Sequence, residues 1–196
     1  MNKKNNSRYR DNEIRMEAAL MKQMNKKEFE KITVREICEL ADVNRTTFYA
    51  HFIDMQDMLD KMEEHLRIEL MAEYQEKKEV PNQMFSSASF HTFLQHIKKH
   101  QVFYRNALKS RRDFPLKQGY DEMLNQIISP LCEKAGIDSQ EEIMYYFVSF
   151  QAGFTMVLRR WAEDECRLPE EQLADIIVNC LPALFKNSFS KKANSK

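Results

Sequence analysis

The stretch from Ile32 to Phe52, ITVREICELADVNRTTFYAHF, constrains the fold more than any other. Thr33-Val34-Arg35-Glu36 has the S/T-x-x-E form of a capping box, in which the threonine and glutamate side chains each satisfy an orphan amide at a helix start. Asn44 is a favourable N-cap for a second start. The spacing predicts two short helices joined at Asp42-Val43-Asn44. The first turns Val34, Ile37, Leu40 and Ala41 inward, and the second, Arg45 to about His51, buries Phe48 and Phe52. Helices this short do not persist alone, so neighbouring elements must cover them.

Those neighbours are legible. Ile14, Ala18 and Met21, with Leu20 and Met24 beside them, mark a first helix over about 8–26. Asp54 is placed to cap a long helix to about Lys78, with Met55, Met58, Leu59, Met62, Leu66 and Leu70 as its apolar stripe. The charged run from Glu76 ends at Pro81, a boundary signal. Beyond it helices are expected over 88–100, 102–108 and 114–135, the last kinked near Pro130 and stopped at Gly136. A second capping-box pattern, Ser139 to Glu142, opens a helix of six or seven turns, and Pro169 begins a final one.

With only three glycines and five prolines, hairpins are disfavoured and the fold class is all-α, about nine helices. The expected organisation is a helix-turn-helix head over 1–54 with a basic, flexible start at 1–7. A linking helix at 55–80, a helical body at 81–188 and a disordered tail at 189–196 follow.

Net charge is zero, but residues 1–50 carry eleven Lys/Arg against eight Asp/Glu, and the rest nineteen against twenty-two. A basic end on an acidic body suits a polyanionic partner at one end. Cys38, Cys132, Cys166 and Cys180 have no metal-ligand spacing and read as thiols in a reducing compartment. No signal peptide or membrane-length apolar run is visible, so a cytoplasmic protein with no membrane partner is expected. His91, His96 and His100 share helical spacing but lack a matching carboxylate pair or cysteine. No nucleophile motif or phosphate-binding glycine loop is present either. The reading is therefore of a non-enzyme without metal or cofactor.

Residues 32–52, followed by Ile53 to Leu59, resemble the head pattern of the TetR-type (tetracycline-repressor) family of transcription regulators, with Thr33, Ile37, Ala41, Val43, Tyr49, His51 and Phe52 matching directly. The head resemblance covers about residues 8–60. In the body, FLQHIKKHQVFYRNAL and YYFVSFQAGFTMVLRRWAEDECRLPEEQLADII are similar to a branch that includes regulators near dihydroxyacetone-kinase genes. Three positions depart from the head pattern: Asp42 and Thr46 stand where glycine is usual or frequent, and Met55 where lysine is common. Aspartate is among the few side chains that visit the left-handed region, so the turn survives at modest cost.

The resemblance implies a ligand-responsive homodimeric repressor on a palindromic duplex operator. The alternatives are an interaction protein of the same fold that no longer reads DNA, or an activator of a dihydroxyacetone-kinase-like operon. Arg45, Thr46 and Thr47, early in the second short helix, are candidates for base contacts, and Thr33, Arg35, Asn44, Tyr49 and His51 complete the DNA-binding set, chiefly toward phosphate. An unknown small-molecule effector is expected among Phe93, His96, Phe103, Tyr104, Tyr120, Phe147, Gln151 and Trp161, an apolar set with a few polar anchors. The apolar girth of residues 143–161 exceeds what one subunit needs. A dimer interface is expected from Phe150, Gly153, Phe154, Val157, Ile177, Leu181 and Leu184.

Overall fold

The computed structural model describes residues 3–77, 85–110 and 124–181. Their regular elements are helices: α1 Lys3–Met24, α2 Val34–Ala41, α3 Arg45–His51, α4 Met55–Glu76, α5 Ser87–Lys99, α6 Gln101–Ser110, α7 Ser129–Lys134, α8 Gln140–Glu163 and α9 Glu170–Cys180. A 3-10 turn, Phe29–Lys31, precedes α2, and a π-helical turn, Leu124–Ile128, leads into α7. The chain divides into two compact units, Met1–Met71 and Ala72–Lys196. The tail at 189–196, the boundary at Pro81, and Tyr120 and Leu184 lie outside the described residues.

In the first unit α1 crosses both short helices. Met16 and Leu20, wholly buried, pack with Ala19 and Met24, Ile37, Cys38, Ala41, Phe48 and Phe52, and with Met58, Leu59, Met62 and Leu66 of α4 form the buried apolar set. Ile14 is 55% exposed and Leu40 42%, so the inward faces of α1 and α2 are rotated from the sequence expectation. Cys38 takes the place given to Leu40, and burial pushes its thiol pKa up. The first helix begins at Lys3. At α4, Asp54 accepts from the Asp57 amide (2.8 Å), while Asp57 accepts from that of Ile53 (2.8 Å).

In the second unit α5 packs on α9 and α6 on α8. Polar pairs register α5 against α9: Ser87 donates to Asp175 (2.6 Å), and Lys98 and His91 reach Glu170 and Glu171 at 3.0 and 3.1 Å. Phe90, Phe93, Leu94, Ile97, Phe103, Tyr104 and Leu108 are buried, as their spacing requires. Pro130 sits in the first turn of α7, which the π turn runs into directly; the expected start of this helix at 114 lies outside the described residues. Gly136 ends α7 at φ +83°, the left-handed conformation that favours glycine. Ser139 caps α8, accepting from the Glu142 amide (3.4 Å), and α8 closes through Glu165 and Cys166, both left-handed without glycine.

Candidate nucleic-acid interface

The turn between α2 and α3 is built around Asp42, whose φ of 50° and ψ of 54° are left-handed. Its amide returns to Glu39 and that of Val43 to the Cys38 carbonyl (3.0 Å), closing the helix end. An aspartate here loses the freedom that glycine has, and the structure supplies a compensating hold. Arg15 of α1 donates to the Ala41 carbonyl and to that of Asp42 (2.7 Å), and approaches the Asp42 carboxylate at 3.4 Å. Its cation thus sits where helix carbonyls are otherwise unsatisfied. Nothing in local spacing marks Arg15; the signal was the missing glycine, which demanded a partner.

The start of α2 is a complete capping box. The Thr33 amide and hydroxyl donate to one Glu36 oxygen (2.9 and 2.8 Å), and the Glu36 amide donates to the Thr33 hydroxyl (3.4 Å). Lys27 donates to both Glu36 oxygens at 2.7 and 2.8 Å. The lysine contact first, then the threonine, hold the Glu36 carboxyl pKa down at about 2. At α3, Asn44 accepts from the Thr47 amide (2.7 Å) and from its hydroxyl (3.0 Å). The Thr47 hydroxyl proton is thereby committed to the cap, whereas the exposed side chains of Arg45 and Thr46 make no hydrogen bond or ion pair with a described residue.

α3 buries one side completely. Phe48 is wholly buried and Phe52 is 1% exposed, their ring centroids 5.4 Å apart, while Tyr49 beside them is 58% exposed. Arg35 is exposed on α2 and donates to Glu39 one turn on (2.7 Å). His51 departs from its expected place on the DNA side. It is 4% exposed, and the Tyr9 ring stacks on it at 3.7 Å and 23°. Burial pushes its pKa below the ordinary value, so the folded protein favours the neutral imidazole. Its carbonyl accepts from Lys61 of α4 at 2.6 Å, and the Tyr9 hydroxyl donates to the Ala50 carbonyl at 3.2 Å.

In the second unit Phe93, His96, Phe103, Tyr104, Phe147, Gln151 and Trp161 are all buried. Trp161 donates to the Leu168 carbonyl (2.9 Å), and the His96 ring approaches Glu73 at 3.3 Å. Gln151 Nε2 and Thr155 Oγ1, one turn apart on α8, are buried without hydrogen-bond partners among the described residues. The expected dimer residues divide. Phe150 and Phe154 stack on each other at 5.4 Å and join Phe85, Phe90 and Phe93 in the subunit's own aromatic core. Ile177 and Leu181 are buried as well, Val157 is half-buried and Gly153 is exposed. Phe150, Phe154, Ile177 and Leu181 are thus packed within the subunit, whereas Gly153 lies on the outward face of α8. That face carries Tyr145 (70% exposed), Val148 (47%) and Met156 (59%) on α8, with Ile176 on α9.

A helix pair that buries its inner face and turns arginine, threonine and tyrosine outward has the form of a helix-turn-helix DNA-binding head. Residues 17–62 match "Bacterial regulatory proteins, tetR family", and residues 86–182 match "Transcriptional regulator C-terminal region" of the same group. The chain belongs to the TetR-type family of transcriptional regulators. It is similar in fold to a solved TetR transcriptional regulator from Streptococcus agalactiae 2603V (18% identity, TM-score 0.66). It also resembles in fold a protein described as the dihydroxyacetone kinase operon activator DhaS (19%, 0.53), and each alignment covers 90% of this chain and 97% of the other. No curated protein matches significantly. No described helix is long and apolar enough to cross a membrane.

Proposed function

We propose that this regulator acts as a ligand-responsive homodimer on a palindromic operator, each subunit laying α3 in the major groove. Arg45 and Thr46 read base edges, while Tyr49, Arg35, the Asn44 side-chain amide and the amides at the start of α2 hold phosphates. The observation that carries this reading is the pairing of exposed Arg45 and Thr46, unpartnered among the described residues, with a helix back sealed by Phe48 and Phe52. The Thr33 hydroxyl and Thr47 are assigned to capping, and His51 to packing.

One such helix spans few base pairs, so specificity requires a second copy. The exposed apolar stripe Tyr145, Val148 and Met156 supplies the contact, with Ala152 and Gly153 between them. A Cβ at Gly153 meets nothing within 4 Å inside the subunit, so its own packing does not require glycine there. A closely approaching partner helix does. Within the body, the buried polar atoms of Gln151 and Thr155 support an effector that offers hydrogen-bonding groups inside an apolar enclosure. Such an effector regulates only through unequal affinity for the DNA-competent and incompetent states. Repression is the first reading; the fold likeness to a protein described as an operon activator favours activation as the second.

Selection from random duplex pools tests the proposal. The dimer should enrich a palindrome. Arg45→Ala should relax preference at one position of each half-site by about 1–3 kcal/mol, and Tyr49→Phe should weaken all sequences alike. A folded dimer that enriches no site refutes DNA reading and leaves an interaction protein.

A further inference from the structure

The side of the head between α1 and α3 carries a feature that the helix-turn-helix reading leaves unused. An open groove of about 330 Å³ runs between the second and third turns of α1 and the outer edge of α3. Arg8 and Asn12, one turn apart, form one wall, and Asn44, Thr46 and Thr47 form the other. Its floor includes the 4%-exposed His51, whose Nδ1 has no hydrogen-bond partner among the described residues. Arg8 is exposed and likewise makes no bond to a described residue. The two walls are fastened by Tyr9, which stacks on His51 and donates to the Ala50 carbonyl.

We infer that this groove is a second phosphate clamp, in which Arg8 and Asn12 of α1 grip the operator backbone beside the stretch read by α3. This rests on the DNA-binding reading and extends it to α1. The occupant follows from the chemistry of the walls. A guanidinium, a side-chain amide and a free hydroxyl converge on an open cleft, which suits a tetrahedral anion carried on a polymer. In sequence this end of the chain is basic, with Lys3, Lys4, Arg8 and Arg10 ahead of the first acidic residue, Asp11. Thr46 stands on the shared border, so one residue touches both the clamp and the reading surface. Tyr9 and His51 are positioning residues: they fix α1 against α3 so that the phosphate contact and the base contacts fall in one register.

The test uses the full-length dimer and its selected duplex, with binding followed by fluorescence anisotropy across a chloride series. Arg8→Gln should weaken every duplex alike, by roughly tenfold per half-site, the order expected for one charge-assisted bond. It should also lower the salt slope by about 0.9 per protomer. Tyr9→Leu should reproduce much of that loss but add little in the Arg8→Gln background, since it acts through Arg8. Tyr9→Phe keeps the stack and provides a well-folded companion, checked by circular dichroism. Unchanged affinity and slope in Arg8→Gln overturn the clamp, and a change in the rank of sequences overturns its assignment to phosphate. If Arg45→Ala relaxes specificity while Arg8→Gln is silent, the clamp fails and α3 reading stands. If the wild type selects no site, both fall.

Discussion

Replacing Arg15 by alanine removes a long-range hold on the α2–α3 turn, and its cost can be worked from three contacts. The ion pair to Asp42 contributes least, because the Asp42 side chain is fully exposed and Arg15 is 45% exposed; such pairs are worth ~0–1 kcal/mol. The bonds to the Ala41 and Asp42 carbonyls are charge-assisted, the former partly buried. Bonds of that kind contribute about 1.5–3 kcal/mol when shielded and less in the open, so about 2 kcal/mol for the residue as a whole is expected. Asp42→Asn keeps the carbonyl contacts and the left-handed tolerance, and should cost under ~0.5 kcal/mol. Asp42→Gly should be near neutral, since relief at positive φ is offset by greater freedom of the unfolded chain, each about 0.5–1 kcal/mol. The single tryptophan, Trp161, lies in the other unit, so its fluorescence is the wrong probe. Amide exchange at Val43, whose N–H bonds the Cys38 carbonyl, reads the turn directly. Exchange should quicken about 30-fold in Arg15→Ala. A change below about threefold, or an equal effect of Asp42→Asn, would falsify the assignment of the hold to the carbonyls.

Three other outcomes follow from the geometry. Glu36 is ionised down to about pH 2 in the fold, so its contribution is complete above its unfolded value near 4.5 and is lost as pH falls toward 2. Acid titration by circular dichroism should show the head weakening over that window, and Glu36→Gln should flatten that part of the curve. Met156→Glu should yield a folded monomer in sedimentation, because it places a charge on an exposed apolar stripe and not in the subunit core; a persistent dimer would move the interface elsewhere. Thr155→Val removes a buried hydroxyl without a described partner at nearly constant size, and should raise the melting temperature, by roughly 1 kcal/mol in stability. A lowered melting temperature would show that the hydroxyl is satisfied in the folded chain.

Local chemistry was readable where it depended on neighbours in sequence. The box at Thr33–Glu36, the caps at Asn44 and Asp54 and the stop at Gly136 all involve residues within one turn, and each forms at its expected position. Which side of a helix faces inward was less readable. Helical spacing fits Ile14-Ala18-Met21 as well as Met16-Leu20-Met24, and only the position of α2 decides that Met16 is buried while Ile14 is 55% exposed. The same ambiguity holds on α8, where Phe150 and Phe154 contact Phe85, Phe90 and Phe93 of their own subunit. A helix apolar on all sides has no periodicity to separate its inner from its outer face. For His51 the motif allows both a DNA-side place and a local one, and nothing in it announces that Tyr9, far back in sequence, lies over the ring.

The hydrogen bonds that side chains of other helices make to α3 and the turn before it share one property. Arg15 takes the carbonyls of Ala41 and Asp42 just before it, and Tyr9 and Lys61 take those of Ala50 and His51 at its end. Every acceptor is main chain, which any amino acid would present equally well. The outward positions 45, 46 and 49 are therefore free to vary without slackening the mount. On the proposed reading by α3, new operator preferences are accessible to this scaffold by single changes there, with no repair needed elsewhere.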